Sequence, residues 1–311
     1  MQPHILARRL LNMPNIDFGT ICWLVDFLTT RSQRTRVNST LSDARLCSTG
    51  SPQGRVLSPL LFVLYTNDCQ STLQSRSIIK FADDSVIVSL LQDKESDHGP
   101  VLENFIKWCD DSYLELNGDK TKEMFIDFRR DPPAKAPILI NGSAVETVSE
   151  YKYLGTVLDN KLTFDANTDR ICKKANQRLF FLRKLRGFQV DKTLMRMFYS
   201  SCIESILTYS ITSWFGNLSV ANKNRLGGII KVCQKIIGTT LNPLNHIYQT
   251  RVTQKAKAIL VNPQHPLFSE FRLLPSGCRY APSNRKAKNN RYTRSFVPSA
   301  VGFINELLKQ A

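Results

Sequence analysis

Two adjacent aspartates, Asp83 and Asp84, are the strongest candidates for chemistry in this 311-residue sequence. They lie between short apolar segments, 78–81 and 86–88, whose pattern predicts two strands of a hairpin. Adjacent carboxylates are costly inside a core. At one end of a sheet, however, their oxygens can bind Mg²⁺, and paired metal ions clamp the attacking and leaving oxygens in phosphoryl transfer. The alternative is an ordinary exposed Asp-Asp turn, and this segment alone does not decide between them.

A glycine-bearing loop precedes this hairpin by a few tens of residues. Gly50, Pro52, Gln53 and Gly54 form the loop, and the apolar segment 57–65 that follows predicts a short helix. Because glycine has no Cβ atom, a nucleotide or a template base can approach the backbone closely at such positions. The loop is therefore a candidate binding site for template or nucleotide.

Positive charge is concentrated in the second half of the chain. The formal net charge is +16, but residues 1–160 hold 17 Lys/Arg and 20 Asp/Glu, whereas residues 161–311 hold 25 and 6. The resulting net charge of +19 after residue 160 favours a polyanionic partner, and nucleic acid is the default candidate. A solvated basic face without a partner is the alternative. The candidate contacts, which are interleaved with aromatic residues as on a phosphate-tracking surface, are Lys173, Lys174, Arg178, Arg183, Lys184, Arg186, Arg285, Lys286, Lys288, Arg291 and Arg294.

Composition argues against several other classes of protein. No two of the eight cysteines lie within four residues of each other, and the four histidines show no metal-ligand spacing, so we predict free thiols and no zinc site. No apolar run approaches the ~20 residues that cross a bilayer, and the N-terminus lacks the apolar core of a secretory signal. We therefore expect an intracellular protein, nuclear and/or cytoplasmic, without a membrane partner. The oligomeric state stays open.

The elements that must position these residues change in type near residues 160–165. Beyond that point the periodicity predicts helices over 166–188, 191–208 and 221–237. Before it, helices are predicted over 2–13, 18–30, 57–65 and 95–113, and short strands over 34–37, 44–47, 78–81, 86–88, 124–128, 138–140 and 151–155. Asn141-Gly142 marks a tight hairpin turn. The sequence therefore predicts an α+β fold whose internal boundary matches the charge division.

In combination and order, these motifs resemble the reverse transcriptase of non-LTR (LINE-type) retrotransposons, in the broad Jockey and Rex group of animal genomes. The resemblance implies that residues 50–62 are the loop and helix that position template and incoming nucleotide. It also implies that Asp83 and Asp84, in the Phe-Ala-Asp-Asp box, carry catalytic Mg²⁺. The segment 114–122 resembles the next palm motif, whose lysine lies near the nucleotide phosphates, with Lys120 and Lys122 as candidates. Residues 151–155 resemble the hairpin that grips the primer, with Tyr153, Leu154 and Gly155 as contacts.

The resemblance also implies a domain order and partners. Residues 1–160 correspond to a partial palm with an antiparallel sheet backed by helices, 161–280 to a helical thumb, and 281–311 to a basic C-terminal tail. An RNA template and a DNA primer are the implied partners. A palm sheet without its first strand is expected to leave an exposed edge.

One departure from the family concerns catalysis. Family members carry another metal-binding aspartate on a strand upstream of the glycine loop, and this sequence has no equivalent in the right order. Asp17 is the nearest candidate, and we predict that it caps a helix N-terminus instead. We therefore expect an N-terminally truncated fragment that does not polymerise alone, since positioning and charge neutralisation supply most of such catalysis. Arg55 stands where the family usually has a small or apolar residue.

Two other functions stay open from the sequence. A non-catalytic nucleic-acid-binding remnant is one, because the basic half needs no metal to bind phosphates. The other rests on residues 177–186, which bear a faint similarity to the basic helical N-terminal module of AlkB-type RNA-modifying proteins. The sequence supplies no iron-binding His/Asp/His set for such a 2-oxoglutarate-dependent reaction.

Overall fold

The chain folds into two units in the computed structural model, which describes residues 1–29, 31–71, 76–91, 99–130, 137–282 and 290–310. The first unit comprises Met1–Glu123 with Lys135–Glu146, and the second comprises Met124–Ala134 with Thr147–Ala311. Helices and small antiparallel sheets occur together, with about half of the chain helical, so the predicted α+β class is confirmed at that level.

The first unit packs helices around an apolar core. Its helices are α1 (Pro3–Leu11), α2 (Phe18–Leu28), α3 (Leu57–Tyr65) and α4 (Gly99–Asp111). Buried Leu6, Leu28 and Leu61 bring the first three together in one cluster. Asp17 accepts a hydrogen bond from the Thr20 backbone N–H at 2.9 Å, so its predicted role as the N-cap of α2 is confirmed.

The strands of the first unit form small hairpins. Antiparallel pairs join β1 (Arg31–Gln33) to β4 (Arg45–Cys47), β2 (Arg36–Val37) to β3 (Thr40–Leu41), β5 (Arg76–Phe81) to β6 (Asp84–Ser89) and β8 (Leu139–Ile140) to β9 (Ser143–Ala144). Asn141 and Gly142, with φ of 50° and 79°, make the turn between β8 and β9, as their sequence predicts. The other strands starting in this unit are β7 (Lys122–Glu123) and β10 (Glu146–Thr147).

The second unit begins with a hairpin and continues as a helical bundle. Trp214, fully buried, lies in a core that includes Leu182, Leu226 and Val301. Two 3₁₀ turns, Phe215–Asn217 and Phe268–Glu270, complete the fold. The elements are β11 (Glu150–Tyr153), β12 (Thr156–Asp159), α5 (Asp165–Gly187), α6 (Lys192–Phe198), a π-helical turn (Tyr199–Glu204), α7 (Ser205–Leu207), α8 (Ile211–Trp214), α9 (Val220–Ile237), α10 (Leu244–Val261), β13 (Phe271–Leu273), β14 (Tyr280–Pro282), α11 (Asn290–Thr293) and α12 (Phe296–Gln310).

Predicted elements differ from the structure at several points, and the strand predicted over 34–37 is reduced to β2 (Arg36–Val37). The strand predicted over 124–128 is wrong, because Asp127 accepts hydrogen bonds from the backbone N–H and guanidinium of Arg129 and turns the chain there. The Arg129 contacts lower the pKa of the Asp127 carboxyl to about 2. The helix predicted over 191–208 contains the π-helical turn, where the Ser201 hydroxyl donates to the Met197 carbonyl at 2.8 Å.

Asp159 fixes the passage from β12 into α5. Its carboxylate oxygens accept backbone N–H bonds from Lys161 at 3.0 Å, Thr163 at 3.0 Å and Phe164 at 2.7 Å, and the residue is 8% exposed. Burial raises the pKa of this carboxyl, but the backbone hydrogen bonds outweigh burial, and the net pKa lies below the ordinary 3.8. Phe164 precedes α5 with a left-handed φ of 60°, and its backbone N–H is one of the three donors to this carboxylate.

Replacing Asp159 by alanine is expected to lower the free energy of unfolding by about 3 kcal/mol, because three backbone N–H groups, one of them on buried Phe164, lose a charged acceptor. Since the folded pKa is depressed, this stabilisation is present above the unfolded pKa and disappears as pH falls through the folded pKa. Urea unfolding of wild type and variant at several pH values measures it. A constant difference between the two proteins down to the folded pKa would contradict the assignment.

No helix in the described ranges is both long and apolar enough to span a bilayer.

Candidate functional site

Asp83 and Asp84 lie at the turn of the β5–β6 hairpin. Ala82 and Asp83 are the two turn residues, Ala82 has φ of 53°, and Phe81 pairs with Asp84 as the last rung of the ladder. Both aspartates are exposed. Within the part of the chain that the structure describes, neither carboxylate accepts a hydrogen bond or forms an ion pair. The arrangement predicted from the sequence, two carboxylates at the tip of a hairpin, is thus present.

The hairpin is anchored by its inner face. Ile78 and Ile87 are directly opposite each other and pack against the cluster that contains Phe105 and Cys109 of α4. On the same face, Lys80 donates through Nζ to the Cys69 carbonyl at 3.0 Å and to the Thr66 carbonyl. These contacts fix the strand that leads directly into the turn.

The opposite face of the hairpin is open. Ile79 and Phe81 are 50% and 61% exposed, and Asp84 is on this face because it pairs with Phe81. The aspartate pair therefore stands at the end of an uncovered apolar surface.

A partly buried arginine that the sequence analysis missed supports α3 and α4 behind the hairpin. Arg9 Nε lies 2.7 Å from Asp68 Oδ2, its Nη2 donates to Ser112 Oγ at 2.7 Å, and its Nη1 donates to the Tyr65 carbonyl. Its guanidinium also lies 4.9 Å from the Tyr65 ring centroid and 5.3 Å from that of Trp108. The sequence signal that could have identified Arg9 is its position next to Leu10 on the apolar face of α1.

The chemistry of the Asp83–Asp84 pair fits a divalent cation in part. Mg²⁺ prefers oxygen ligands, and it is commonly held by one or two carboxylates together with substrate phosphates. Across the described residues, no group of three or more His, Cys, Asp or Glu side chains could hold a metal ion. A metal ion on this pair would need further oxygen ligands, such as those of a phosphate.

The glycine loop adopts the backbone that its glycines allow. Gly50 and Gly54 have φ of 75° and 78°, in the left-handed region. The Gly50 N–H donates to the Met1 carbonyl at 2.8 Å, and the Pro52 carbonyl accepts from the Ser58 hydroxyl in the first turn of α3. A Cβ at either glycine would meet no other atom within 4 Å, so open space lies beside the backbone. Gln53 is exposed.

Lys120 and Lys122 differ in their surroundings. Lys122 Nζ lies 2.7 Å from Glu146 Oε2 and donates to the Asp119 carbonyl at 3.0 Å. Lys120 is exposed, and its backbone N–H donates to Asn117 Oδ1 at 3.0 Å. An open cavity of about 610 Å³ lies beside Lys122, between the segments 115–122 and 140–146. Lys120 therefore carries the cation more accessible to a phosphate.

The β11–β12 turn rests on a tyrosine. Leu154 and Gly155 have φ of 43° and 86°, and the Leu154 carbonyl accepts a hydrogen bond from the Tyr209 hydroxyl at 2.6 Å. Tyr153 immediately precedes this turn, at the end of β11. The turn of the predicted primer contact is therefore held by a residue that the sequence analysis did not identify.

Replacing Gly155 by alanine is expected to destabilise the second unit by about 2 kcal/mol, because an L-residue is strained at φ 86° and its Cβ would lie 3.0 Å from Tyr209 Cε1. Thermal unfolding compared with Gly187→Ala, where a Cβ meets no atom within 4 Å, measures this effect. Equal melting temperatures for the two variants would contradict the described packing.

The predicted basic contacts fall into three groups. On α5, all six cations, from Lys173 to Arg186, are exposed. Arg291 instead stacks its guanidinium 3.8 Å from the Phe128 ring centroid, and the Arg294 carbonyl packs against Gly216. Arg285, Lys286 and Lys288 lie outside the described residues.

Comparison with protein families gives two matches. Residues 6–158 match the family described as "Reverse transcriptase (RNA-dependent DNA polymerase)". Residues 164–205 match the family described as "Alkylated DNA repair protein alkB homolog 8, N-terminal". The first match contains the glycine loop, the Asp83–Asp84 hairpin and the Leu154–Gly155 turn, and the second contains α5 and α6.

Curated relatives are products of insect mobile elements. The "Probable RNA-directed DNA polymerase from transposon BS" of Drosophila melanogaster is 30% identical over 215 residues, which are 65% of this chain and 24% of the relative. The "Probable RNA-directed DNA polymerase from transposon X-element" of the same species is 30% identical over 156 residues, 48% of this chain and 17% of the relative. The "RNA-directed DNA polymerase from mobile element jockey" of Drosophila funebris is 30% identical over 134 residues, 40% of this chain and 14% of the relative. The chain thus spans about a quarter or less of the length of these relatives. No solved structure gives a significant match.

Proposed function

We propose a function from the membership of this chain in the reverse transcriptase family, of the type that non-LTR retrotransposons encode, which rests on residues 6–158. Its Asp83–Asp84 hairpin is the metal-binding part of an RNA-directed DNA polymerase site. The observation that carries this proposal is the pair of exposed carboxylates at the tip of an anchored hairpin inside the matched region. The Ile78 and Lys80 contacts hold the inner face of this hairpin against the first unit.

Each part of the site has a proposed task. Asp83 and Asp84 would hold Mg²⁺, which when bound supplies charge neutralisation for the phosphates in phosphoryl transfer. Lys120 contacts the nucleotide phosphates, because its cation is accessible whereas that of Lys122 is engaged by Glu146. The Gly50–Gly54 loop lets template or nucleotide approach the backbone.

The two structural units support a proposed palm and thumb. The first unit, with its helices and the Asp83–Asp84 hairpin, is a partial palm. The helices of 161–280 form the thumb, and Tyr153, Leu154 and Gly155 contact the primer strand. The RNA template and DNA primer follow the basic surface of α5, whose six cations are exposed.

The 311-residue polypeptide alone is proposed not to polymerise. Family members use a further aspartate upstream of the glycine loop, and the described part of the matched region brings no third acidic residue to Asp83 and Asp84. Charge neutralisation and positioning supply most of the rate in phosphoryl transfer, so an incomplete carboxylate set has a large effect.

A primer-extension experiment tests the function. The 311-residue chain is compared with a fusion that adds, at its N-terminus, the segment preceding the matched region in the transposon BS polymerase. We expect Mg²⁺-dependent, RNA-templated incorporation by the fusion and none above background by the chain alone. A fusion that folds and binds primer–template but incorporates nothing would contradict the polymerase proposal. Incorporation by the chain alone would contradict the incomplete-site proposal.

A second candidate function is non-catalytic nucleic-acid binding, favoured by the net charge of +19 over residues 161–311. It shares the binding surface with the first and predicts no incorporation by the fusion.

The alkB-homologue match covers α5 and α6. Because no cluster of candidate iron ligands occurs within the described ranges, we propose no 2-oxoglutarate-dependent reaction, and a turnover assay with 2-oxoglutarate checks this.

A further inference from the structure

Helix α5 carries an exposed surface of unusual composition. From Arg170 to Gly187 it contains seven Lys or Arg residues and no acidic residue. Two neighbouring phenylalanines, Phe180 and Phe181, are 54% and 48% exposed in the middle of this surface. Burying a phenylalanine ring stabilises a protein, so two adjacent rings that are left about half exposed form an apolar patch that a ligand could cover.

The exposed rings are not displaced core residues. The core-facing positions of α5 are filled by Ala175, Leu179 and Leu182, which are 0–4% exposed. The rings of Phe180 and Phe181 meet edge to face, with centroids 5.5 Å apart and planes at 78°. The edge of one ring thus lies against the face of the other, and each ring stays about half exposed.

Cations surround these rings along the helix. Lys184 Nζ lies 5.6 Å from the Phe180 ring centroid. Lys173 precedes Phe180 by seven residues, and Lys174 and Arg178 precede Phe181 by seven and three residues, which places each on the same side of the helix as its ring. Exposed Phe188 follows Phe181 by seven residues and directly follows the last residue of α5. The stretch from Lys173 to Phe188 therefore extends about 22 Å along the helix axis.

We infer that this surface, defined by Lys173, Lys174, Arg178, Phe180, Phe181 and Lys184, binds an unpaired segment of RNA or DNA by stacking bases on Phe180 and Phe181. The inference rests on the proposed function, and it specifies the strand state of the ligand. Cations at helical spacing around aromatic faces match the alternation of phosphate and base in a single strand. In a closed duplex the bases are stacked on each other and offer no free face to a ring.

A protein partner fits this surface less well. A docking helix would need a continuous apolar stripe, but here Lys173, Gln177, Phe180 and Lys184 follow one another on the exposed side. The absence of acidic residues from Arg170 to Gly187 favours a polyanion throughout.

The test measures binding of the full chain to three labelled ligands by fluorescence anisotropy: a 12-nucleotide single-stranded RNA, an abasic backbone of equal length, and a duplex. Phe180→Ala/Phe181→Ala is expected to weaken single-strand binding by about a hundredfold, tenfold for each ring, with little change for the duplex or the abasic backbone. The slope of log affinity against log salt should stay unchanged, because no cation is removed.

Controls separate the possible outcomes. Phe180→Leu/Phe181→Leu keeps apolar bulk without an aromatic face, and its loss of affinity should equal that of the alanine variant. Retention of affinity by the leucine variant would overturn stacking in favour of a general apolar contact. Wild type that binds single strands no better than abasic backbone overturns the inference while leaving the proposed function intact. Wild type that binds no nucleic acid at low salt overturns both. Unchanged melting temperatures confirm that the exposed substitutions leave the fold intact.

Discussion

Asp83→Asn is expected to lower Mg²⁺-dependent nucleotide incorporation by about a thousandfold in the fusion that supplies the upstream segment. The substitution keeps the size and hydrogen-bonding capacity of the side chain and removes its negative charge, so the turn Phe81–Asp84 should form as before. A loss of about 4 kcal/mol of transition-state stabilisation corresponds to that factor, and it is the scale expected for charge stabilisation in a polar active site. Single-turnover primer extension measures the rate.

The chain offers a matched control for substitution of both Asp83 and Asp84. Asp110 and Asp111 are a second pair of adjacent, exposed aspartates in the first unit, at the end of α4. Asp110→Asn/Asp111→Asn changes net charge in the same direction as Asp83→Asn/Asp84→Asn. It should leave the incorporation rate within about twofold of the unsubstituted fusion. Equal losses from both pairs would indicate a nonspecific charge effect and contradict the site.

The affinity of the chain for a primer–template is expected to fall by about a thousandfold between 50 and 200 mM salt. Six exposed cations on α5 can each displace a condensed counterion, and about six phosphate contacts give a loss of that size. Binding that weakens by less than tenfold over this range would contradict a surface made mainly of phosphate contacts. Titrations at four or more salt concentrations measure the slope.

The double variant Lys174→Gln/Arg178→Gln tests whether α5 makes the phosphate contacts that determine the slope of log affinity against log salt. Each lost phosphate contact lowers its magnitude by about 0.9, so the double variant should lower it by about 1.8. Lys231 and Lys235 are exposed lysines on α9 of the same unit. Lys231→Gln/Lys235→Gln matches the change in charge and should leave the slope nearly unchanged. A slope that falls in the α9 variant and stays unchanged in the α5 variant would contradict the assignment of the binding surface to α5.

Local patterns were sufficient to predict the elements around the candidate site. The alternation on either side of Asp83 and Asp84 predicts β5 and β6, and the Asn141-Gly142 pair predicts the β8–β9 turn, because adjacent strands and their turn residues are encoded within a few positions. The strand predicted over 124–128 failed for a local reason that hydrophobic alternation does not record. Asp127 is an acceptor for Arg129, and that side-chain contact competes with extended pairing.

The supports of the site could not be read from local sequence. Arg9 contacts Ser112 across 103 residues, and Tyr209 contacts the Leu154 carbonyl across 55 residues. Neither pairing leaves a periodicity or a short motif. The engagement of Lys122 by Glu146, which distinguishes it from Lys120, likewise depends on a separation of 24 residues. The sequence therefore identified candidate groups, and the structure showed which of them are accessible.

The most direct test of the central claim, that Asp83 and Asp84 form a metal–phosphate site, is a Mn²⁺ titration of the 311-residue chain followed by electron paramagnetic resonance. Mn²⁺ substitutes for Mg²⁺ at oxygen ligands, and the titration is run with and without a nucleoside triphosphate, with the binding of Mn²⁺ by the nucleotide alone subtracted. We predict nucleotide-dependent Mn²⁺ binding that Asp83→Asn/Asp84→Asn abolishes and Asp110→Asn/Asp111→Asn preserves. Nucleotide-dependent binding that survives Asp83→Asn/Asp84→Asn, or that the wild-type chain never shows, would contradict the account.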